Sequence, residues 1–176
     1  MHQAQALGAT IVSPVRESGD AGRTAVIEDP AGLKTGFWQA NKMIGAERIN
    51  EDGAMVWNEI TVWEGQKAVD FYTALLAWEA TKLDDYESGY WMLKNGERNA
   101  GGILQMTEDW TGIDPHWMNY IHVDDLDSTA NKVSDNGGTV VFGTDSESIG
   151  KLKLCSAPSG VQFTLLQTKA FDAWVE

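Results

Sequence analysis

Over residues 56–62, apolar and polar side chains roughly alternate, which predicts a strand. A polar break, Glu64-Gly65-Gln66, follows. Then Ala68, Val69, Phe71, Tyr72, Leu75, Leu76 and Trp78 fall at spacings of three and four, the pattern of an amphipathic helix. Ahead of this pair, residues 1–7 read as the last turns of a helix stopped by Gly8. Short strands are predicted at 10–15, 23–28 and 33–39, and Pro14 places the first at a sheet edge. Behind the pair, strands are predicted at 90–93 and 100–106, with a hairpin turn at Asn95-Gly96. A polar, Trp-bearing loop covers 107–115, and a strand covers 117–123. A helix opened by Asp124, Asp125 and Asp127 runs to about residue 134, where Asn136-Gly137-Gly138 stops it. Strands at 139–142, 151–155 and 161–167 complete the series.

The order repeats. Residues 56–106 and 117–167 each read strand, helix, strand, strand, strand, at a period of about 60. A third copy is partial. LGATIVSPVRES and the strands after it match NGGTVVFGTDSE and the strands after that, each ending in X-Pro-X-Gly and a strand closed by Gln. The expected class is α+β: tandem βαβββ modules at 55–168, a three-strand partial module at 1–39, a linker at 40–54 and a short tail at 169–176.

Composition narrows the function. With 43% hydrophobic residues and eight Trp, the chain can bury a real core. No apolar run approaches the roughly 20 residues that cross a bilayer, so no membrane partner is expected. The single Cys155 excludes an internal disulfide framework and fits a reducing cytoplasm. A net charge of −13 argues against nucleic acid and permits a cationic ligand.

The tandem βαβββ order, the FYTALLAWEA helix and the X-Pro-X-Gly turn before a last strand resemble the vicinal oxygen chelate superfamily. That group includes glyoxalase I, bleomycin-resistance proteins and extradiol dioxygenases. The WNEIT start and the final repeat look most like the C-terminal part of two-domain, glyoxalase-like bacterial proteins named as hydroxylases. The resemblance implies that two modules curl into an open, barrel-like cleft. It also implies that metal-dependent members draw ligands from the first and last strands of each module. Those positions fall on Trp57, near Gln105, on Met118 and on Thr164, with Gly36 in the fragment. Trp, Met, Thr and Gly do not build an oxygen–nitrogen cage, so no divalent metal is expected.

Strand alternation adds further cleft residues. If Trp57 points inward, so do Glu59 and Thr61; if Met118 does, so do Tyr120 and His122; Ile60, Val62, Ile121 and Val123 then pack under the helices. The expected ligand site is therefore Trp57, Glu59, Gln105, Met118, Tyr120, His122 and Thr164, an aromatic pocket with one carboxylate and one imidazole. The preferred function is metal-free binding of a small aromatic or cationic molecule. One alternative is a lyase- or dioxygenase-like enzyme, metal-dependent or using Glu59 and His122 as an acid–base pair. Another is a truncated remnant with no ligand. His116, after Pro115, is expected in solvent, and Cys155 in the core. The uncovered apolar face of residues 1–39 predicts a homodimer in which a second chain covers it; the competing reading folds this segment back on its own domain through the 40–54 linker.

Overall fold

The computed structural model describes residues 1–84, 88–146 and 149–168. The tail at 169–176 lies outside the described residues. The chain forms two compact units, Met1–Glu47 with Glu59–Trp117, and Arg48–Asn58 with Met118–Glu176.

In the first unit a short helix, α1 (His2–Ala6), leads into β1 (Thr10–Glu17), β2 (Gly22–Glu28) and β3 (Lys34–Ala40). These pair antiparallel in the order β1-β2-β3. Pro14, which has no N–H to give, sits in β1, an edge strand with two register shifts. Next come β4 (Met55–Val62), α2 (Gly65–Leu76), β5 (Glu79–Leu83), β6 (Tyr90–Asn95) and β7 (Arg98–Gln105). β4 runs parallel to β7, and β7, β6 and β5 follow antiparallel. This is a full βαβββ module. Trp78 matches the helical spacing, yet α2 stops two residues earlier. Ala77 takes the left-handed conformation, φ 55°, and turns the chain into β5. Trp78 still packs on the core from beyond the helix.

One core serves the whole unit. Ile27 and Leu33 pack with Ile60, Val62, Phe71, Tyr72 and Ile103. Polar contacts repeat the link: Gln3 Nε2 donates to the Ala74 carbonyl at 3.0 Å, and Thr35 Oγ1 meets the Tyr72 hydroxyl at 2.6 Å. The N-terminal strands thus cover their apolar face on α2 of their own chain. This matches the competing expectation, folding back on the same chain, rather than cover by a second chain.

The second unit repeats the module with β8 (His116–His122), α3 (Leu126–Asp135), β9 (Thr139–Ser146), β10 (Gly150–Ser156) and β11 (Gln162–Thr168), ordered β8-β11-β10-β9. Asp125 caps α3, its Oδ1 accepting the Ser128 N–H at 2.9 Å. Val123, Leu126, Ala130, Cys155 and Leu165 form the core, with Ile121 against it. Cys155 is fully buried, as expected, and desolvation pushes its thiol pKa up. Among the described residues, no helix is long and apolar enough to cross a membrane.

Candidate functional site

Strand alternation fixes which side chains can meet a ligand. In the first unit Ile60 and Val62 lie in the core with α2. Glu59 and Thr61 therefore point to the other face, and both are buried. In the second unit Ile121 packs toward α3, so Met118, Tyr120 and His122 share the opposite face of β8. Thr164 lies beside Tyr120 and Leu166 beside His122 in the parallel β8–β11 register. Met118, His122, Thr164 and Leu166 are buried, as is Trp57.

His122 is held at several points within its unit. Its N–H donates to the Ala54 carbonyl and its carbonyl accepts from the Gly53 N–H, both at 2.9 Å. The Asp124 N–H donates to Asp52 Oδ1, also at 2.9 Å. The ring's Nε2 lies 3.3 Å from Asp124 Oδ1. A carboxylate on Nε2 favours a hydrogen there, which leaves Nδ1 as the acceptor of the neutral ring. Gly53 and Ala54, in a segment read from sequence as part of a linker, are thus the backbone clamp on His122.

Gln105 sits elsewhere than expected. Its Oε1 accepts the Gly65 N–H at 3.2 Å, at the start of α2. Gln167 does the same for the Leu126 N–H at the start of α3, also at 3.2 Å. Each Gln satisfies an open N–H at the first turn of its module's helix. Gly102, not Gln105, is the counterpart of Thr164: Gly102 pairs with Glu59 as Thr164 pairs with Tyr120. A Cβ at Gly102 would collide with the Tyr90 hydroxyl. Tyr90 therefore occupies the place beside Glu59. The sequence reading missed it, although a Gly pair inside a strand, Gly101-Gly102, is the usual sign of a close approach.

A second polar cluster lies at the join of the N-terminal sheet and α2. Asp29 is 4% exposed, and its Oδ1 accepts the Ala31 and Leu33 N–H groups at 2.8 and 2.9 Å. The Tyr72 hydroxyl, bonded to Thr35, faces this carboxylate without closing a hydrogen bond on Oδ2. Trp117 Nε1 donates to the same Thr35 oxygen at 3.1 Å. Desolvation raises the Asp29 pKa against those backbone bonds, and burial beside Asp29 raises that of Tyr72. His116, expected in solvent, opens β8 with its ring 6.3 Å from that of Trp110. Its Nδ1 meets the Asp114 carbonyl at 2.9 Å, and its buried Nε2 has no partner among the described residues. A separate apolar cleft of about 270 Å³ lies among Ala25, Phe37, Trp38, Leu75 and Leu76, with Arg23 on its wall.

Residues 54–165 match the family described as Glyoxalase/Bleomycin resistance protein/Dioxygenase superfamily. The chain belongs to this superfamily. A protein of Mycobacterium tuberculosis named "Putative glyoxylase CFP32" is 35% identical over 162 residues, which are 91% of this chain and 61% of that protein. The anthracycline biosynthesis protein DnrV of Streptomyces peucetius is 29% identical over 165 residues, 92% of this chain and 58% of that one. The chain therefore spans about three-fifths of the length of these relatives. Among solved structures, the Mn(II)-bound glyoxalase of Novosphingobium aromaticivorans aligns with a TM-score of 0.61 at 18% identity, over 97% of this chain and 59% of that one. The 2,3-dioxygenase LapB of Pseudomonas sp. KL28 aligns with a TM-score of 0.63 at 15% identity, over 94% of this chain and 65% of that one. These likenesses show the shared α+β glyoxalase fold.

Metal-bound superfamily members need a set of oxygen and nitrogen donors. Here the resemblance places Trp57, Met118 and Thr164 at ligand positions, and the register adds Gly102. No group of three His, Cys, Asp or Glu side chains comes together among the described residues. The side chains at these positions do not fit a divalent ion.

Proposed function

We propose that this chain is a small-molecule-binding member of the superfamily that holds an aromatic or cationic ligand without a metal. The observation that carries the reading is the identity of the buried side chains at the superfamily's ligand positions: Trp57, Met118 and Thr164. Trp and Met offer flat or polarizable apolar surface, which suits an aromatic molecule. Tyr120 and His122, on the same strand face as Met118, add a hydroxyl and an imidazole for orientation. The named role of DnrV, anthracycline biosynthesis, is consistent with a small organic partner.

Elemental analysis of protein purified without chelator tests the metal half of the proposal. Substoichiometric Zn, Mn, Ni and Fe are expected. One equivalent of metal per chain, lost on Glu59→Ala or His122→Ala, would overturn it. A melting-temperature screen with small aromatic compounds tests the binding half, since a ligand that binds only the folded state raises the midpoint.

A second reading is favoured by the relative named as a glyoxylase and by the clamp on His122. In it, His122 is a general base positioned by Asp124. Turnover of a glyoxalase-type substrate by chelated protein, lost in His122→Gln, would select this reading over pure binding.

A further inference from the structure

We propose that the cleft at the C-terminal end of α2 is a second ligand site, which takes a small carboxylic acid by its apolar body and its carboxylate. None of its residues belongs to the site proposed above. The pairs of β2 with β3, from Gly22↔Ala40 to Glu28↔Lys34, run without a register shift. Ile27, Ala25 and Arg23 therefore share one face of that sheet with their partners Thr35, Phe37 and Gln39. Ile27 fixes which face this is, since it lies in the core with Phe71 and Tyr72 of α2. Thr35 meets the Tyr72 hydroxyl, so the helix still covers the sheet there. One turn later the cover ends: α2 stops at Leu76, and Ala77, at φ 55°, turns the chain into β5. The sheet face continues past that point through Ala25 and Phe37 to Arg23 and Gln39. The cleft of about 270 Å³ lies there, with Leu75 and Leu76 also lining it.

The lining selects the ligand. Ala25, Phe37, Leu75 and Leu76 are apolar, and filling the space between them removes apolar surface from water. The volume is below the roughly 300–1,000 Å³ of drug-sized pockets, which suits a compact molecule. Arg23 and Gln39 line this cleft and also a polar hollow shared with Glu17 and Asn41. The Arg23 guanidinium carries five N–H donors in a planar fork. Its Nη2 donates to Gln39 Oε1 at 2.8 Å, which holds the group across the strand pair. Glu17 stands 3.8 Å from Nε, outside hydrogen-bond range, and leaves the fork open. A carboxylate matches that fork in shape and charge. A protonated amine would meet the guanidinium as a like charge, so the site favours an acid over an amine. The net charge of −13 opposes an anion at long range, and physiological salt screens that effect beyond about 8 Å.

The test uses two probes of nearly equal shape on the full chain, phenylpropanoate and phenylpropanol. Each is titrated at neutral pH and about 0.15 M salt, and NMR follows the methyl groups of Ala25, Leu75 and Leu76. Both probes should shift those signals. The acid should bind about three- to fivefold tighter than the alcohol, the effect of a half-exposed ion pair. Arg23 is exposed, so Arg23→Gln should keep the fold. It should erase the acid's preference while alcohol affinity stays within about twofold. Equal affinity for the two probes in the parent chain overturns the carboxylate, as does a preference that survives Arg23→Gln. Binding that leaves those methyl signals unmoved, or no binding at all, overturns the site. If the same signals move when the protein alone is diluted, a second copy occupies the cleft, and the small acid is overturned as its occupant. None of these outcomes bears on Trp57, Met118 and Thr164, so the two readings fail separately.

Discussion

Gly102 shows how one absent atom organises a neighbourhood. Any side chain there must displace the Tyr90 hydroxyl, and Tyr90 is buried. Gly102→Ala should therefore cost about 1–3 kcal/mol in unfolding free energy, the usual penalty for overpacking. Adding Tyr90→Ala frees the space, so the double variant should lose less than the sum of the singles in a thermodynamic cycle. Strict additivity would show that the two residues do not compete for that volume. Asp29 carries a second residue-scale prediction. Burial raises its pKa from 3.8, so the folded state binds its proton more tightly than the unfolded chain does. The protonated acid's contribution is fully present below about pH 3.8 and is lost as pH rises through the higher folded value. Asp29→Asn keeps an Oδ1 acceptor for the Ala31 and Leu33 N–H groups and carries no charge. Its melting temperature should equal that of the parent below that window and match or exceed it at neutral pH. A neutral-pH loss larger than the acid-pH loss would show that the ionised carboxylate stabilises the fold. Parity arguments could place Glu59, His122 and Thr164 from sequence, because alternation is a property of the strand alone. Tyr90 and Asp29 could not be found that way, since their roles depend on which strand or helix comes to lie opposite.

At the scale of elements, the two modules solve the same problem twice. α2 has no side-chain cap from its own N-cap residue, Glu64. The Gly65 N–H is met instead by Gln105 from the end of β7, and Gln167 at the end of β11 serves Leu126 of α3. Gln105→Ala and Gln167→Ala should each cost about 1 kcal/mol, as loss of a cap does. The cost should be larger in Gln105→Ala, because α3 keeps its own cap from Asp125. Chemical denaturation of the two variants checks the order. The last strand's closing Gln was visible in the sequence as part of the repeat, but its task was not. A Gln on a strand looks the same whether it faces a ligand or reaches back to a helix. The elements themselves were legible: periods of two and 3.6 put β4, α2, β8 and α3 within a few residues of their observed places. The end of α2 was not, since Leu75, Leu76 and Trp78 keep helical spacing across a chain reversal that Ala77 makes in a conformation normally given to Gly.

At the scale of the molecule, the N-terminal strands are the test of how the chain is assembled. Three strands with one apolar face are marginal in water, and a second chain is a common remedy. In this chain the remedy is internal: Ile27, Leu33 and Ala31 pack in the same core as Phe71 and Tyr72 of α2. The partial repeat could be read from sequence, but which surface it covers could not, because a face needing cover is equally apolar whether the cover comes from α2 or from another copy. Residues 1–39 should therefore behave as part of the first unit's core. Ile27→Ala, at a side chain with no exposure, should cost about 2–4 kcal/mol. Tyr72→Phe removes the hydroxyl that Thr35 meets, and it should cost about 1 kcal/mol. Both losses should be independent of protein concentration in urea denaturation followed by Trp fluorescence. If a second chain supplied the cover instead, unfolding midpoints would rise with concentration in the parent protein, and Ile27→Ala would shift the subunit equilibrium seen by light scattering. A concentration-independent midpoint that drops on Ile27→Ala and Tyr72→Phe alike identifies α2 as the partner of the N-terminal sheet. It confines any homodimer contact to other surfaces, such as those bearing Val12, Val15 and Trp38, which are 47%, 51% and 39% exposed.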